Sequence, residues 1–185
     1  MQTWVWIIIA VAVVLVVAAA VVAATQQQRR SRLRDTFGPE YDREVSQRGD
    51  RREAERELSG RLERRREYDI RPLSPQQRER YMVSWSNVQA HFVDAPRDAV
   101  QEADTLITAL MRERGYPMAD FDQRAADLSV EHGRVIDNYR TAHDISQRSA
   151  AGSASTEDLR QAMVHYRSLF SDLLGAEQRA QARAQ

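Results

Sequence analysis

Residues 4 to 24 read Trp-Val-Trp-Ile-Ile-Ile-Ala-Val-Ala-Val-Val-Leu-Val-Val-Ala-Ala-Ala-Val-Val-Ala-Ala, without a charge, a proline or a glycine. As a helix rising ~1.5 Å per residue, this run is ~31 Å long, close to the ~30 Å hydrocarbon core of a bilayer. A soluble core helix of that length carries a polar stripe, and this run carries none. It predicts a transmembrane anchor over residues 1–24.

Two flanks refine that expectation. Arg29, Arg30, Arg32 and Arg34 follow the run, and no basic side chain precedes it. By the positive-inside rule this side is cytoplasmic, with Trp4 and Trp6 in the outer aromatic belt. The four arginines are also suited to anionic lipid headgroups. Ala18-Ala19-Ala20 and Val22-Ala23-Ala24 resemble signal-peptide cleavage sites. A cleaved signal, however, has a basic leader and an apolar stretch of roughly 7–15 residues, so a retained anchor is the expectation.

Residues 25–73 read as a polar juxtamembrane segment and a charged helical linker. Phe37-Gly38-Pro39 marks a turn. Residues 40 to 67 are then densely charged, with opposite charges at helical spacing and few apolar side chains. This predicts a solvated helical spacer. Leu58 and Leu62, four residues apart, offer a short seam for homo-oligomerisation, without the sustained heptads of a coiled coil. Pro72 and Pro75 force extended backbone before them and set the domain boundary.

Residues 74–175 predict a soluble bundle of four to five short helices, and residues 176–185 a frayed tail. Ser74-Pro75-Gln76-Gln77 has the form of a capping box with proline at the first helical position. Tyr81, Trp85, Val88 and Phe92 make one apolar face. Asp94 is placed to cap a second helix carrying Val100, Ala103, Leu106, Ile107, Leu110 and Met111, stopped at Gly115. Helices over about 118–129 and 133–149 follow, then one from Ser155 or Thr156 to Gly175. No stretch alternates as a strand does, so the fold class is all-α.

Chemistry is sparse in this pattern. His91, His132, His143 and His165 are not spaced as ligands on one helix face, and there is no cysteine. No glycine-rich phosphate loop or nucleophile elbow occurs. No catalytic residue, metal or cofactor is expected. The chain has 14 Arg against 11 acids over residues 29–71, but 13 against 16 over residues 72–185. An acidic distal domain argues against nucleic acid. The Tyr116-Pro117 and Phe37-Gly38-Pro39-Glu40-Tyr41-Asp42 corners, each an aromatic on a fixed turn, are the candidates for recognising a protein partner.

Several motifs resemble those of an uncharacterised family of bacterial, mainly actinobacterial, proteins labelled as membrane or secreted. They are Phe-Gly-Pro-Glu-Tyr-Asp-Arg (37–43), Gly-Asp-Arg-Arg-Glu-Ala-Glu-Arg-Glu-Leu (49–58), Arg-Pro-Leu-Ser-Pro (71–75), Arg-Gly-Tyr-Pro (114–117), Gln-Arg-Ala-Ala-Asp-Leu-Ser-Val (123–130) and Glu-Asp-Leu-Arg-Gln-Ala (157–162). The likeness covers roughly residues 36 to 175. It implies an apolar leading segment ahead of the domain, and brings no activity or site. Gly133 departs from it where proline is expected, which would loosen that corner.

Together these features predict a non-enzymatic, membrane-tethered helical adaptor with an unknown protein partner. The alternative is an exported helical domain of the cell envelope, secreted or anchored outward.

Overall fold

The computed structural model describes the backbone of residues 3–183 and the side chains from Trp4 to Gly175 apart from Val5, Ile8 and Ala10. The described residues form helices and no strand: α1 (Thr3–Phe37), α2 (Pro39–Arg48), α3 (Arg51–Glu67), α4 (Pro75–Asp94), α5 (Pro96–Glu113), α6 (Phe121–His132), α7 (Ile136–Ala150) and α8 (Thr156–Arg183). α1 has 35 residues, so it is about 52 Å long without a break. It is the one helix among the described residues long and apolar enough to cross a membrane, and both a membrane span and a signal sequence fit that description.

Two cores share the rest of the chain. The larger is built from α4, α5, α7 and α8, with Ala125 and Leu128 from α6. The apolar faces of α5 and α8 supply Val100, Ile107, Leu110, Leu169 and Leu173, and Trp85 of α4 stacks on Phe170 of α8 with ring centroids 4.8 Å apart. The smaller core joins Leu33 and Phe37 of α1, Tyr41 of α2, Leu58 of α3 and Val130 of α6.

That smaller core corrects the reading of residues 40–67 as a solvated spacer. The segment is two helices, not one. Gly49 closes α2 in the left-handed region at φ 69°, and the Asp50 side chain caps α3 by accepting from the Arg52 amide at 2.8 Å. Ala54, Leu58 and Leu62 lie four residues apart on one stripe of α3. Ala54 and Leu58 are buried, with Leu62 packed at the edge. The boundary segment is likewise tied down: Leu73 is buried, and the Arg71 amide donates to the Arg114 carbonyl at 2.8 Å.

Helix ends show what local chemistry controls. The capping box at Ser74 and Gln77 forms with both of its bonds. Asp94 does not cap α5. It ends α4, and Ala95 takes the cap position without a side-chain bond. α8 does not stop at Gly175 but runs to Arg183, because one interior glycine costs only about 1 kcal/mol and Ala, Gln and Arg after it favour helix. Of the expected frayed tail, residues 184 and 185 lie outside the described residues.

Candidate functional site

The apolar part of α1 is exposed, including Trp4 and Trp6, while the same helix ends inside the smaller core. Its root is held by arginines. Arg29 donates to the Ser59 hydroxyl at 2.9 Å, Arg30 to Glu55 at 3.2 Å, and Arg34 to Asp42 at 2.7 Å. The Arg34 guanidinium also lies over the Tyr41 ring, 5.3 Å from its centroid. Three of the four arginines assigned to lipid are therefore turned to partners within the fold, and Arg32 is the one without an ion pair or side-chain hydrogen bond among the described residues. The reason is local: α2 and α3 fold back beside the root and bring carboxylates within guanidinium reach. Tyr41 donates to Glu55 at 2.8 Å, and burial followed by that carboxylate pushes its hydroxyl pKa up.

Deeper in the same junction is a buried charge network. Glu40 has no solvent exposure and accepts from Arg43 at 2.9 Å, from Arg61 at 2.8 Å, and from both terminal nitrogens of Arg140 at 2.7 and 2.8 Å. Arg61 reaches Glu44 at 2.6 Å and the Ser129 hydroxyl at 3.2 Å. One guanidinium thus ties α2 and α3 to α6, and Arg140 adds α7. Burial pushes the Glu40 carboxyl upward, but the hydrogen bonds from Arg140 and Arg43 outweigh it and hold the pKa at about 2.

The structure places the Tyr116 corner in the interior, with 4% of the residue exposed, and leaves Pro117 half-buried. The Tyr116 hydroxyl donates to Glu131 at 2.6 Å and contacts the His132 Nε2 at 3.1 Å, and His132 Nδ1 pairs with Asp172 of α8. Burial, then the Glu131 carboxylate, raises the Tyr116 pKa. An Asp–His–Tyr chain has the form of a proton relay, and here His132 at its centre is only 2% exposed. The arrangement acts as a clamp between α6, α8 and the end of α5. Leu58 is fully buried, so the seam suggested for oligomerisation is part of the chain's own core.

A further polar cluster lies where α5, α6, α7 and α8 meet. Tyr166 donates to Asp104 at 2.8 Å, His143 Nδ1 stands 3.6 Å from the same carboxylate, and Phe121 stacks on the His143 ring at 3.7 Å. Arg124 donates to the Thr108 hydroxyl at 3.3 Å. Burial raises the Tyr166 pKa, with Asp104 acting in the same direction. At Asp104 burial works upward, and the bonds from His143 and Tyr166 bring the pKa below its usual value. The roles of His132 and His143 are not legible in the spacing of the four histidines, because their partners lie on other helices. The spacing of Tyr139 and His143 on the inner face of α7 was the available signal. Among the described residues no group of three His, Asp or Glu side chains converges as a metal site.

The chain matches no protein-family model, no curated protein and no solved structure.

Proposed function

We propose that the chain is a single-pass, membrane-tethered helical adaptor whose helical domain lies on the cytoplasmic side and holds a protein partner near the bilayer. One observation carries this reading: α1 is a single helix whose apolar part stands outside the fold and whose last turns, at Leu33 and Phe37, belong to the fold's core. A tether built this way has no flexible joint at the membrane. Confinement at the surface raises the domain's effective concentration for partners located there, without any new contact.

The absence of cysteine makes a direct test simple. Single cysteines replace Gln2 and the exposed Ser153, and intact cells are treated with an impermeant thiol reagent. Labelling at 2 and not at 153, with the chain resistant to carbonate extraction, supports the reading. Labelling at 153 in intact cells overturns the cytoplasmic side.

An exported domain is the second reading, favoured by the small-residue sites at Ala18–Ala20 and Val22–Ala24. Cleavage there would leave Leu33 and Phe37 attached to the domain. The mass of the mature amino terminus separates the two.

A further inference from the structure

We propose that Arg51, Arg52 and Arg56 at the start of α3 form a face that, together with Arg32 on α1, binds anionic lipid headgroups and seats the domain on the bilayer crossed by α1. The proposal rests on the membrane reading above, and changes which arginines meet the lipid.

Position is the first argument. The apolar run ends at Ala24, and Arg30 is about 9 Å further along α1 at ~1.5 Å per residue. Arg30 holds Glu55 at 3.2 Å and Arg29 holds Ser59 at 2.9 Å, so the first half of α3 is pinned beside the helix root. Arg51 and Arg52 are four and three residues before Glu55 and share its side of α3, while Arg56 follows it. Arg51, Arg52 and Arg56 each lie within about one helical turn, ~6 Å along α3, of Glu55.

Charge is the second. Arg29, Arg30 and Arg34 hold Ser59, Glu55 and Asp42, whereas Arg32, Arg51, Arg52 and Arg56, all exposed, hold no acidic side chain. Among the described residues none of these four makes an ion pair; the one side-chain bond is from Arg56 to the Arg52 carbonyl at 3.4 Å. Of the nearby acids Glu55 is held by Arg30 and Tyr41 and Glu53 by Arg48, while Asp50 caps α3 and Asp35 on α1 accepts from the Ser31 hydroxyl. Four exposed guanidinium groups held in no ion pair, on the helices that meet at the end of an apolar span, match a surface of phosphate headgroups, and they suit lipid better than a partner recognised by shape.

The test uses the full chain in lipid nanodiscs, with Gln47→Cys carrying a fluorophore at the exposed end of α2 and a quencher on the lipid headgroups. Quenching is compared between neutral phosphatidylcholine and discs doped with phosphatidylglycerol. The expected result is stronger quenching with phosphatidylglycerol, lost at high salt and lost in R51Q/R52Q/R56Q. Each arginine is expected to contribute about fivefold to the seating equilibrium. The triple Arg→Lys variant should retain the effect, since it keeps the charge, and so separates lipid attraction from a loss of fold. Equal quenching in the two bilayers, or an unchanged response in the triple Gln variant, would overturn the arginine face. Carbonate extraction of the wild type separates the two ideas: a resistant chain without lipid dependence fails the face alone, and a chain that carbonate strips fails the tether and the face with it.

Discussion

The α-carbon of Gly133 lies directly against the backbone of Phe37: a β-carbon at 133 would stand 2.4 Å from the Phe37 carbonyl oxygen and 3.0 Å from that of Ser129. Gly133 has ordinary helical angles, φ −53° and ψ −24°, so glycine is needed here for space and not for conformation. The residue that looked like a loosened corner is where the last turn of α1 docks on the end of α6. Gly133→Ala must push those two backbones apart. The expected loss is about 1–3 kcal/mol, as for other insertions into a packed site. Chemical denaturation in detergent would measure it, and amide exchange should rise at Leu33 to Phe37. Unchanged stability would mean that the close approach is not maintained.

Arg61 bridges two carboxylates that have almost no access to water. Arg61→Ala leaves Glu40 with Arg43 and Arg140, and Glu44 with Arg48 alone. Each carboxylate keeps a guanidinium but loses a charge-assisted bond in the interior, and two such bonds at about 1.5–3 kcal/mol each give an expected destabilisation of about 3–5 kcal/mol. Arg61→Lys keeps the charge but not the planar fork that reaches Glu40 and Glu44 together, so it should recover only part of the loss. Urea denaturation followed by circular dichroism distinguishes the three proteins.

The same network predicts acid sensitivity. A glutamate in the unfolded chain titrates near 4.3, whereas Glu40 is held at about 2 in the fold. The unfolded state therefore binds more protons between these values. The stabilisation from Glu40 is complete above about pH 5 and is lost as pH falls toward 2, a change of order 3 kcal/mol. Glu131 and Asp104 are also lowered and act in the same sense, while Asp127, raised by burial, acts against them. Thermal melts from neutral to acid pH should show a falling midpoint, with a shallower fall in Glu40→Gln. An equal slope in both proteins would count against Glu40 as a main contributor.

Tyr116 offers a choice between recognition and structure. Its hydroxyl joins Glu131 and His132, and Arg65 approaches the same Glu131 from α3. Tyr116→Phe keeps the ring and removes that hydroxyl, leaving His132 short of one partner in the interior. The expected destabilisation is about 1–3 kcal/mol, with no change in the surface that a partner would meet. A normal melting temperature would return this corner to the list of recognition sites.

What could be read from the chain alone follows from the range of the interactions. The apolar run, the capping box at Ser74 and the inner face of α8 are local patterns, and each appears where its periodicity placed it. The smaller core is different. Leu33, Tyr41, Leu58 and Val130 come from four helices, and around each of them the neighbouring sequence is charged, with no apolar stripe wide enough to announce burial. Charge misled in the same way. The Arg61–Glu57 pair, four residues apart, is visible in sequence and looks solvent-exposed. The bonds that bury Arg61 run to Glu40, Glu44 and Ser129, separated by 21, 17 and 68 positions. At such separations many arginine–carboxylate pairings are equivalent in sequence, and packing alone selects among them.

Leu58 brings that difference to a measurable point. As a seam for homo-oligomerisation, its truncation would shift the protein toward smaller species and leave each copy intact. As a fully buried side chain against Leu33, Phe37, Tyr41 and Val130, its truncation opens a cavity at the root of α1. The structure favours the second outcome: Leu58→Ala should lose about 2–5 kcal/mol, the range for leucine truncation in a packed core. Sedimentation in detergent should give the same oligomeric state for both proteins, with the variant unfolding at lower denaturant. Leu62→Ala, at the edge of the same cluster, should lose less. A variant at Leu58 that keeps its stability and changes its sedimentation would show that this leucine faces another copy of the chain.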